Sequence, residues 1–373
     1  MAEPDLYRKL QQHLDRMPVG FPATESGVEI RILMRLFSEE DATVALQVSA
    51  IAEPLTTIHR RLRSRFTRDA LRTKLDDMVA RGLIMRVGKR TPKYGKMPFV
   101  VGIYEHQLPR LDAELERDVL QYQAEGFAAA IHTKKTTQLR TVPVDVSLTP
   151  EREVGTYEDL RAHVKRIDGP FAVMDCICRL GKQLVDHPCA QTTRGESCLT
   201  FGEAAENMVA IGAARFVSRE EMLGLLDEAD RDGLVLQPEN VQDPLFACCC
   251  CGCCCGVLTT AKRLPEPASY FNTNYYAVVD AALCEACGTC LTRCQMDAVS
   301  LDSGVADVAR SHCIGCALCI ATCQSGAMSL RKLETERVPP RDTVALYTQI
   351  YRERYGTLGL ARAAGRRLLG LKV

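Results

Sequence analysis

Several features that would assign this chain to a common class of protein are absent from its sequence. No stretch approaches the about 18 apolar residues of a membrane-spanning helix, and residues 1–20 lack the apolar core of a secretion signal. Lys plus Arg number 47 and Asp plus Glu also number 47, so no net field attracts nucleic acid or an acidic surface. There is no nucleophile with a neighbouring base, no phosphate-binding glycine loop and no flavin or nicotinamide fingerprint. These absences predict a cytoplasmic chain without a membrane span, and they do not favour a stand-alone enzyme.

Cysteine is missing from both ends of the chain and abundant between them. None of the 19 cysteines precedes Cys176 and none follows Cys323. In a reducing cytoplasm, such a concentration of thiols more often holds metal than disulfides. A length of 373 residues exceeds one ordinary core, so we expect two or three domains.

The segment before the cysteines predicts three helices and a two-stranded ribbon. Apolar residues recur at helical spacing over 30–37 and 55–62, and Thr67 is a suitable N-cap for a third helix that ends near Gly82. Residues 83–87 and 97–104 then predict two strands around a turn-rich loop. This order resembles the winged-helix domain over residues 25–106.

The same segment is strongly basic. The stretch from Thr57 to Lys96 contains thirteen basic residues and three acidic ones. On a winged helix, the third helix and the loop would present Arg68, Arg72, Lys74, Lys89, Arg90, Lys93 and Lys96. Such a surface suits the phosphates of DNA or an acidic partner protein. The third helix has no Asn or Gln to read bases, which favours docking to protein.

The remaining segments complete a multidomain α+β fold. Residues 107–155 predict a connector with one helix. Residues 156–266 predict a cysteine-rich domain framed by helices, one capped by Thr156 with Asp159 and another by Ser218 with Glu221. Residues 334–373 predict an amphipathic helical tail, which could pack on the protein, dock a partner or lie on a membrane surface.

An internal repeat carries the most specific motif. Residues 284–301 recur 29 positions later at 313–330, and each copy has the spacing C-x2-C-x2-C-x3-C. Over residues 267–333 this pair resembles the bacterial two-[4Fe–4S] ferredoxins. The resemblance implies that the fourth cysteine of each copy binds the other copy's cluster. One ligand set would be Cys284, Cys287, Cys290 and Cys323, and the other Cys313, Cys316, Cys319 and Cys294.

The repeat departs from that family at one position in each copy. Proline usually follows the fourth cysteine, whereas this chain has Gln295 and Gln324. The change affects local rigidity rather than ligation, because glutamine can adopt the same backbone conformation. Two zinc ribbons are the alternative, although they would require only paired C-x2-C motifs.

Four further cysteines lie upstream of the repeat. Cys176 and Cys178 form a C-x-C pair whose side chains would share one face of an extended strand, and Cys189 and Cys198 could supply the remaining ligands of a third cluster. Arg179 could donate to a cluster sulfide. A zinc site and a set of buried apolar cysteines are the alternatives.

Seven cysteines then occupy eight consecutive positions. They are Cys248, Cys249, Cys250, Cys251, Cys253, Cys254 and Cys255. Neighbours in a strand face opposite ways, so the seven cannot all bind one cluster. The Cys-Cys-Gly pairs at 250–252 and 254–256 resemble the CCG motif of the heterodisulfide reductase catalytic subunit, in which it helps to hold noncubane clusters that reduce a disulfide. Together the eleven extra cysteines could bind one or two further iron–sulfur clusters.

These patterns predict a multicluster, ferredoxin-like electron-transfer protein that exchanges low-potential electrons with a partner oxidoreductase in an anaerobic cytoplasm. Two alternatives remain open at this point. One is a redox-sensing DNA-binding regulator, and the other is a disulfide reductase that acts at residues 248–255.

Overall fold

The computed structural model describes residues 4–88, 90–133, 135–144 and 156–372, which form a mixed α+β fold as expected. The chain divides into two compact units. The first contains the residues up to Ile131, Ala210–Ala213 and those from Tyr347 onwards, and the second contains His132–Val209 and Ala214–Leu346. None of the described helices combines the length and apolar character needed to cross a bilayer.

The first unit begins with helices and a small antiparallel sheet. Its elements are α1 (Pro4–Asp15), α2 (Val28–Leu36), α3 (Glu39–Ala45), β1 (Glu53–Pro54), α4 (Leu55–Leu62), α5 (Arg68–Ala80), β2 (Met85–Val87) and β3 (Lys93–Gly95), with the strands in the order β1-β3-β2. The predicted cap is confirmed, because the Thr67 hydroxyl accepts a hydrogen bond from the Ala70 amide at 3.2 Å. Leu71, Leu75 and Met78 are buried along α5, as their helical spacing predicts.

The prediction of a second strand at 97–104 is wrong. The strand that pairs with β2 is β3, and Phe99–Ile103 forms an irregular turn instead. Pro98 has no amide hydrogen for a ladder. The centroid of the Phe99 ring lies 4.9 Å from that of Phe21 and 5.6 Å from that of Tyr122. This segment therefore packs into the apolar core instead of forming a strand.

The first unit continues into the predicted connector as far as Ile131 and resumes within the predicted tail at Tyr347. A 3-10 turn spans Glu105–Arg110, followed by α6 (Ala113–Tyr122), a wider turn at Gln123–Phe127 and α7 (Ala128–Ile131). Part of the predicted connector, residues 145–155, lies outside the described residues. The tail forms α15 (Thr343–Leu368), which is broken at Gly356, where φ is +72°.

The second unit is built around a five-stranded antiparallel sheet, whereas the sequence predicts a helical cysteine-rich domain over 156–266. Its strands are β4 (Phe171–Asp175), β5 (Glu196–Phe201), β6 (Arg215–Val217), β7 (Val235–Pro238) and β8 (Phe246–Cys250), in the order β6-β4-β5-β8-β7. The accompanying helices are α8 (Leu160–Arg166), α9 (Ile177–Leu184), α10 (Glu203–Ala210), α11 (Arg219–Arg231) and α12 (Gly256–Ala261).

One of the two predicted caps in this unit is confirmed and the other is wrong. Ser218 accepts from the Glu221 amide at 3.1 Å and begins α11. Thr156 does not begin α8, because Thr156–Glu158 forms a separate 3-10 turn. Asp159 caps α8 instead, accepting from the Ala162 amide at 2.9 Å.

The repeat forms two small antiparallel pairs. After a 3-10 turn at Pro267–Tyr270, its elements are β9 (Tyr275–Val279), α13 (Thr289–Arg293), β10 (Val299–Ser300), β11 (Asp307–Val308), α14 (Leu318–Ala321) and β12 (Met328–Lys332), with β9 paired to β12 and β10 to β11. Residues with left-handed φ also recur 29 positions apart, at Ala286 and Gly315, Gly288 and Ala317, and Asp297 and Gly326. The repeat therefore extends to the backbone conformation.

A single apolar core joins the five-stranded sheet to the repeat. Val173 and Leu199 from the sheet, Leu258 from α12, and Leu318 and Leu330 from the repeat belong to the same buried cluster. The predicted segments 156–266 and 267–333 both lie in the second unit and share this core.

Candidate metal centres

Strand β8 separates the cysteines of the run by alternation. Cys248 pairs with Cys198 of β5 on one side and with Gln237 of β7 on the other. Cys248 and Cys250 therefore point to one face of the sheet and Cys249 to the opposite face. The turn between β8 and α12 carries the remaining cysteines.

Six thiols form one connected group, which we call the hexathiol group. Its members are Cys176, Cys178, Cys198, Cys248, Cys250 and Cys255. Neighbouring thiols interact with one another in the order Cys178, Cys176, Cys198, Cys248, Cys250 and Cys255. The six come from four places in the sequence and contribute to one site.

The C-x-C pair of this group is not extended. Cys176 is the N-cap of α9, and Cys178 lies in its first turn. The two thiols meet because the chain turns into a helix there, rather than because both project from one face of a strand. Hydrogen bonds from Cys178 and Cys198 lower the pKa of Cys176, so a thiolate is favoured at this position.

Four other thiols form a second group, which we call the tetrathiol group. It contains Cys189, Cys251, Cys253 and Cys254, whose sulfurs all lie within 4.8 Å of one another. Cys189 Sγ lies 3.6 Å from Cys251 Sγ and 3.5 Å from Cys253 Sγ, and the Cys253 and Cys254 sulfurs are 3.6 Å apart. This group could hold a metal.

The structure brings Cys249 into neither group. Its side chain packs in the apolar core, 2% exposed. Burial raises the pKa of this thiol to about 12, so it remains protonated. The eleven extra cysteines therefore divide into six, four and one.

Arg179 lies next to both groups. It is 5% exposed, and its Nη1 donates to the Cys249 carbonyl at 3.3 Å. Among the described residues, its Nε and Nη2 have no hydrogen-bond partner. Although burial opposes the charged form, the sulfurs of Cys176, Cys251 and Cys198 raise the pKa of Arg179 above its ordinary value. A buried guanidinium with free donors fits an anionic metal–thiolate centre.

The eight cysteines of the repeat line two separate spaces. One is lined by Cys294, Cys313, Cys316 and Cys319. The other is lined by Cys284, Cys287, Cys290 and Cys323. Each space thus has three cysteines from one copy and the fourth from the other, which is the arrangement that the ferredoxin resemblance implies.

Backbone amides point at the sulfurs in these spaces. The amides of Ala298, Ala277 and Ala306 donate to Cys294, Cys313 and Cys284, at 3.2, 3.3 and 3.4 Å. Amide-to-sulfur hydrogen bonds stabilise the negative charge of a thiolate-bound cluster. Each set of four thiols with its amide donors could therefore hold a metal cluster.

The two glutamines that replace the usual prolines have different environments. Gln324 is exposed, whereas Gln295 is 5% exposed and its Oε1 accepts the Gly252 amide hydrogen at 2.7 Å. A proline could not make this bond. Gln295 thus ties the repeat to the turn that carries the tetrathiol group, a role that the sequence alone did not reveal.

The predicted basic surface is only partly available for docking. Arg68, Arg72, Arg90 and Lys93 are exposed, with Arg60, Arg63 and Arg65 nearby in sequence and also exposed. Lys74 is neutralised by Glu40 and Asp41, at 2.9 and 2.7 Å. Lys96 is buried and donates to the His13 carbonyl at 3.1 Å, and Lys89 lies outside the described residues.

Comparison with protein-family models, curated proteins and solved structures found no match to this chain. Any assignment of function must come from the geometry above.

Proposed function

We propose that this chain is a multicluster iron–sulfur electron-transfer protein of a reducing cytoplasm. The proposal depends mainly on the two pockets of the repeat. Four cysteines line each pocket, three from one copy of the repeat and one from the other. Each space would hold one [4Fe–4S] cluster, as in the bacterial ferredoxins that the repeat resembles. A bound cluster of this type supplies a one-electron carrier.

The protein's own contribution is to set the charge and the exposure of each cluster. The amides that donate to Cys294, Cys313 and Cys284 offset the charge that reduction adds. Cys319 is buried, while Cys287 is exposed to solvent. We infer that the space containing Cys287 is the one at which electrons enter or leave, because a short distance to a partner favours transfer.

The hexathiol group supports a third centre. Four of its six thiols would suffice for one cubane, and binding would move apart the neighbouring thiols that now contact one another. The buried guanidinium of Arg179 supplies a positive charge beside Cys176 and Cys198, which an anionic cluster would balance. The two additional thiols leave room for a noncubane cluster or for thiol chemistry, which is the reductase alternative.

The exposed arginines of the first unit would select the partner. Among the described residues between Thr57 and Lys96, eight basic side chains are exposed: Arg60, Arg63, Arg65, Arg68, Arg72, Arg86, Arg90 and Lys93. We propose that this basic surface docks an acidic redox protein. The order of α4, α5 and the β1-β3-β2 sheet also resembles a winged helix, so DNA is the competing ligand.

The test is to purify the full chain without oxygen and to measure iron, acid-labile sulfide and EPR spectra of the reduced form. Three cubanes predict about 12 Fe per chain, at four per cluster. Cys290→Ser and Cys319→Ser should each alter a different EPR signal, because they line different spaces. Fewer than about 8 Fe would refute the proposal, and about 8 would remove the third centre while leaving the repeat as a ferredoxin.

Partner choice needs a separate measurement. A docking surface predicts that Arg68→Glu with Arg72→Glu slows electron exchange with an acidic acceptor and leaves the iron content unchanged. Salt-sensitive binding to duplex DNA that changes with cluster oxidation would instead favour the regulator.

A further inference from the structure

We propose that the tetrathiol group binds a single tetrahedral Zn²⁺ ion rather than an iron–sulfur cluster. This group contains Cys189, Cys251, Cys253 and Cys254, and it is distinct from the clusters of the proposed function. The inference depends on the spacing of the sulfurs, on the positive charge beside them and on the completeness of the ligand set.

The spacing matches one ion. Zn–S bonds of about 2.3 Å in a tetrahedron place neighbouring sulfurs about 3.8 Å apart. The three sulfur–sulfur contacts of the group measure 3.5, 3.6 and 3.6 Å, and no pair exceeds 4.8 Å. Four thiols this close can share one central ion.

A cubane requires a different arrangement. Each of its thiolates binds a separate iron at its own corner, so the sulfurs surround a core instead of touching one another. The cysteines of the repeat, all among the described residues, line two pockets, four to each, and no three of their sulfurs lie within 4.8 Å of one another. Within the described part of the chain, the tetrathiol group is the one set of cysteines with three or more sulfurs mutually within 4.8 Å. The same structure thus contains both kinds of four-cysteine site.

The charge around the group also suits a metal thiolate. Four thiolates on Zn²⁺ carry a net negative charge, which Arg179 beside Cys251 offsets. Cys253 is exposed and offers a path for the ion to enter.

A closed set of four cysteines makes this a structural site. Zn²⁺ has no redox chemistry in proteins, and four protein ligands leave no position for a substrate. The ion would fasten the loop between α9 and β5, which carries Cys189, to the turn between β8 and α12. That turn also contains Gly252, which Gln295 holds from the repeat. Zinc would therefore fix the turn that lies between the hexathiol group and the repeat.

The test uses the full-length protein purified without oxygen, with metals counted by mass spectrometry and the zinc environment examined by X-ray absorption. We expect about one Zn²⁺ per chain, bound to four sulfurs at about 2.3 Å. The double variant Cys253→Ser, Cys254→Ser should lose the zinc and keep the iron content and the EPR signals of the reduced protein. Cys249→Ser is the matched control, since this neighbouring thiol belongs to neither group, and it should keep both metals.

Three results would overturn the proposal: wild-type protein without zinc, zinc whose absorption spectrum shows nitrogen or oxygen ligands, or a double variant that loses about four Fe. The absorption measurement needs no variant, so it decides the question even if the double variant fails to fold. A normal iron content without zinc would refute the zinc site and leave the electron-transfer function standing. Zinc without iron would refute the electron-transfer function and leave the zinc site standing.

Discussion

Adding one methyl group at Gly252 should disrupt the turn between the cysteine groups. A Cβ atom at this position would lie 2.2 Å from the Gln295 carbonyl oxygen and 3.0 Å from its carbonyl carbon. The nearest obstacle is backbone, so it cannot be relieved by a change of side-chain rotamer. The Gly252→Ala variant must therefore move the chain on one side of the contact.

The cost has two parts. Overpacking of this kind costs about 1–3 kcal/mol. The displacement also breaks or lengthens the 2.7 Å bond from the Gly252 amide to Gln295, worth about 1 kcal/mol. At about 2–4 °C per kcal/mol for a unit of this size, we expect Tm to fall by on the order of 10 °C. Because Cys251 and Cys253 flank the site, metal occupancy of the tetrathiol group should fall as well.

The same substitution elsewhere provides the control. Gly224 lies within α11, and a Cβ added there meets no heavy atom within 4 Å. Alanine is favoured over glycine inside a helix, so Gly224→Ala should stabilise the protein by about 0.5–1 kcal/mol. Thermal unfolding of both variants, followed by circular dichroism without oxygen, gives the comparison. Equal effects of the two substitutions, or an unchanged Tm for Gly252→Ala, would refute the reasoning.

Three further predictions concern single buried polar groups. Arg179→Met should lower the reduction potential of the centre at the hexathiol group by roughly 60–130 mV. This range takes a charge-assisted hydrogen bond as about 1.5–3 kcal/mol and converts it at 59 mV per 1.4 kcal/mol. A redox titration followed by EPR that shows no change of potential would contradict this. Gln295→Met should destabilise the protein by about 1–3 kcal/mol, because the amide that it satisfies loses its partner, whereas Gln324→Met should change stability little; similar melting curves for the two variants would contradict it. Burial lowers the pKa of His13 to about 3, so the unfolded state binds more protons than the folded state below pH 6.5. The free energy of unfolding therefore falls as the pH drops from 6.5 towards 3, by about 2 kcal/mol between pH 6.5 and 5. His13→Gln should make the fall of Tm with decreasing pH shallower.

The local features of this fold could be predicted from the sequence. The caps at Thr67 and Ser218 follow from side chains that accept backbone hydrogen bonds within one turn. The resemblance to ferredoxins implies the three-to-one division of cysteines that lines the two pockets. In each case the relevant contacts are either close in sequence or fixed by a recurrent motif.

The division of the eleven extra cysteines could not be predicted. Alternation along β8 separates Cys249 from Cys248, but it does not show that Cys189 joins Cys251 across 62 positions of sequence. That pairing depends on how β5 and β8 lie side by side in the sheet. The incorrect strand prediction at 97–104 has a similar cause. A buried apolar run can form a strand or an irregular core segment, and the sequence pattern does not distinguish the two. Here the outcome depends on Phe99 packing against rings that are remote in sequence.

The continuous core of the second unit limits which fragments of this chain can fold on their own. A fragment cut out at residue 267 would keep all eight cysteines of the repeat, yet Leu318 and Leu330 would lose Leu258 and the rest of the sheet's core as packing partners. The opposite fragment would lose the Gln295 acceptor on which the Gly252 amide depends. Because the repeat shares its interior with the five-stranded sheet, the two would have to be expressed and redesigned together.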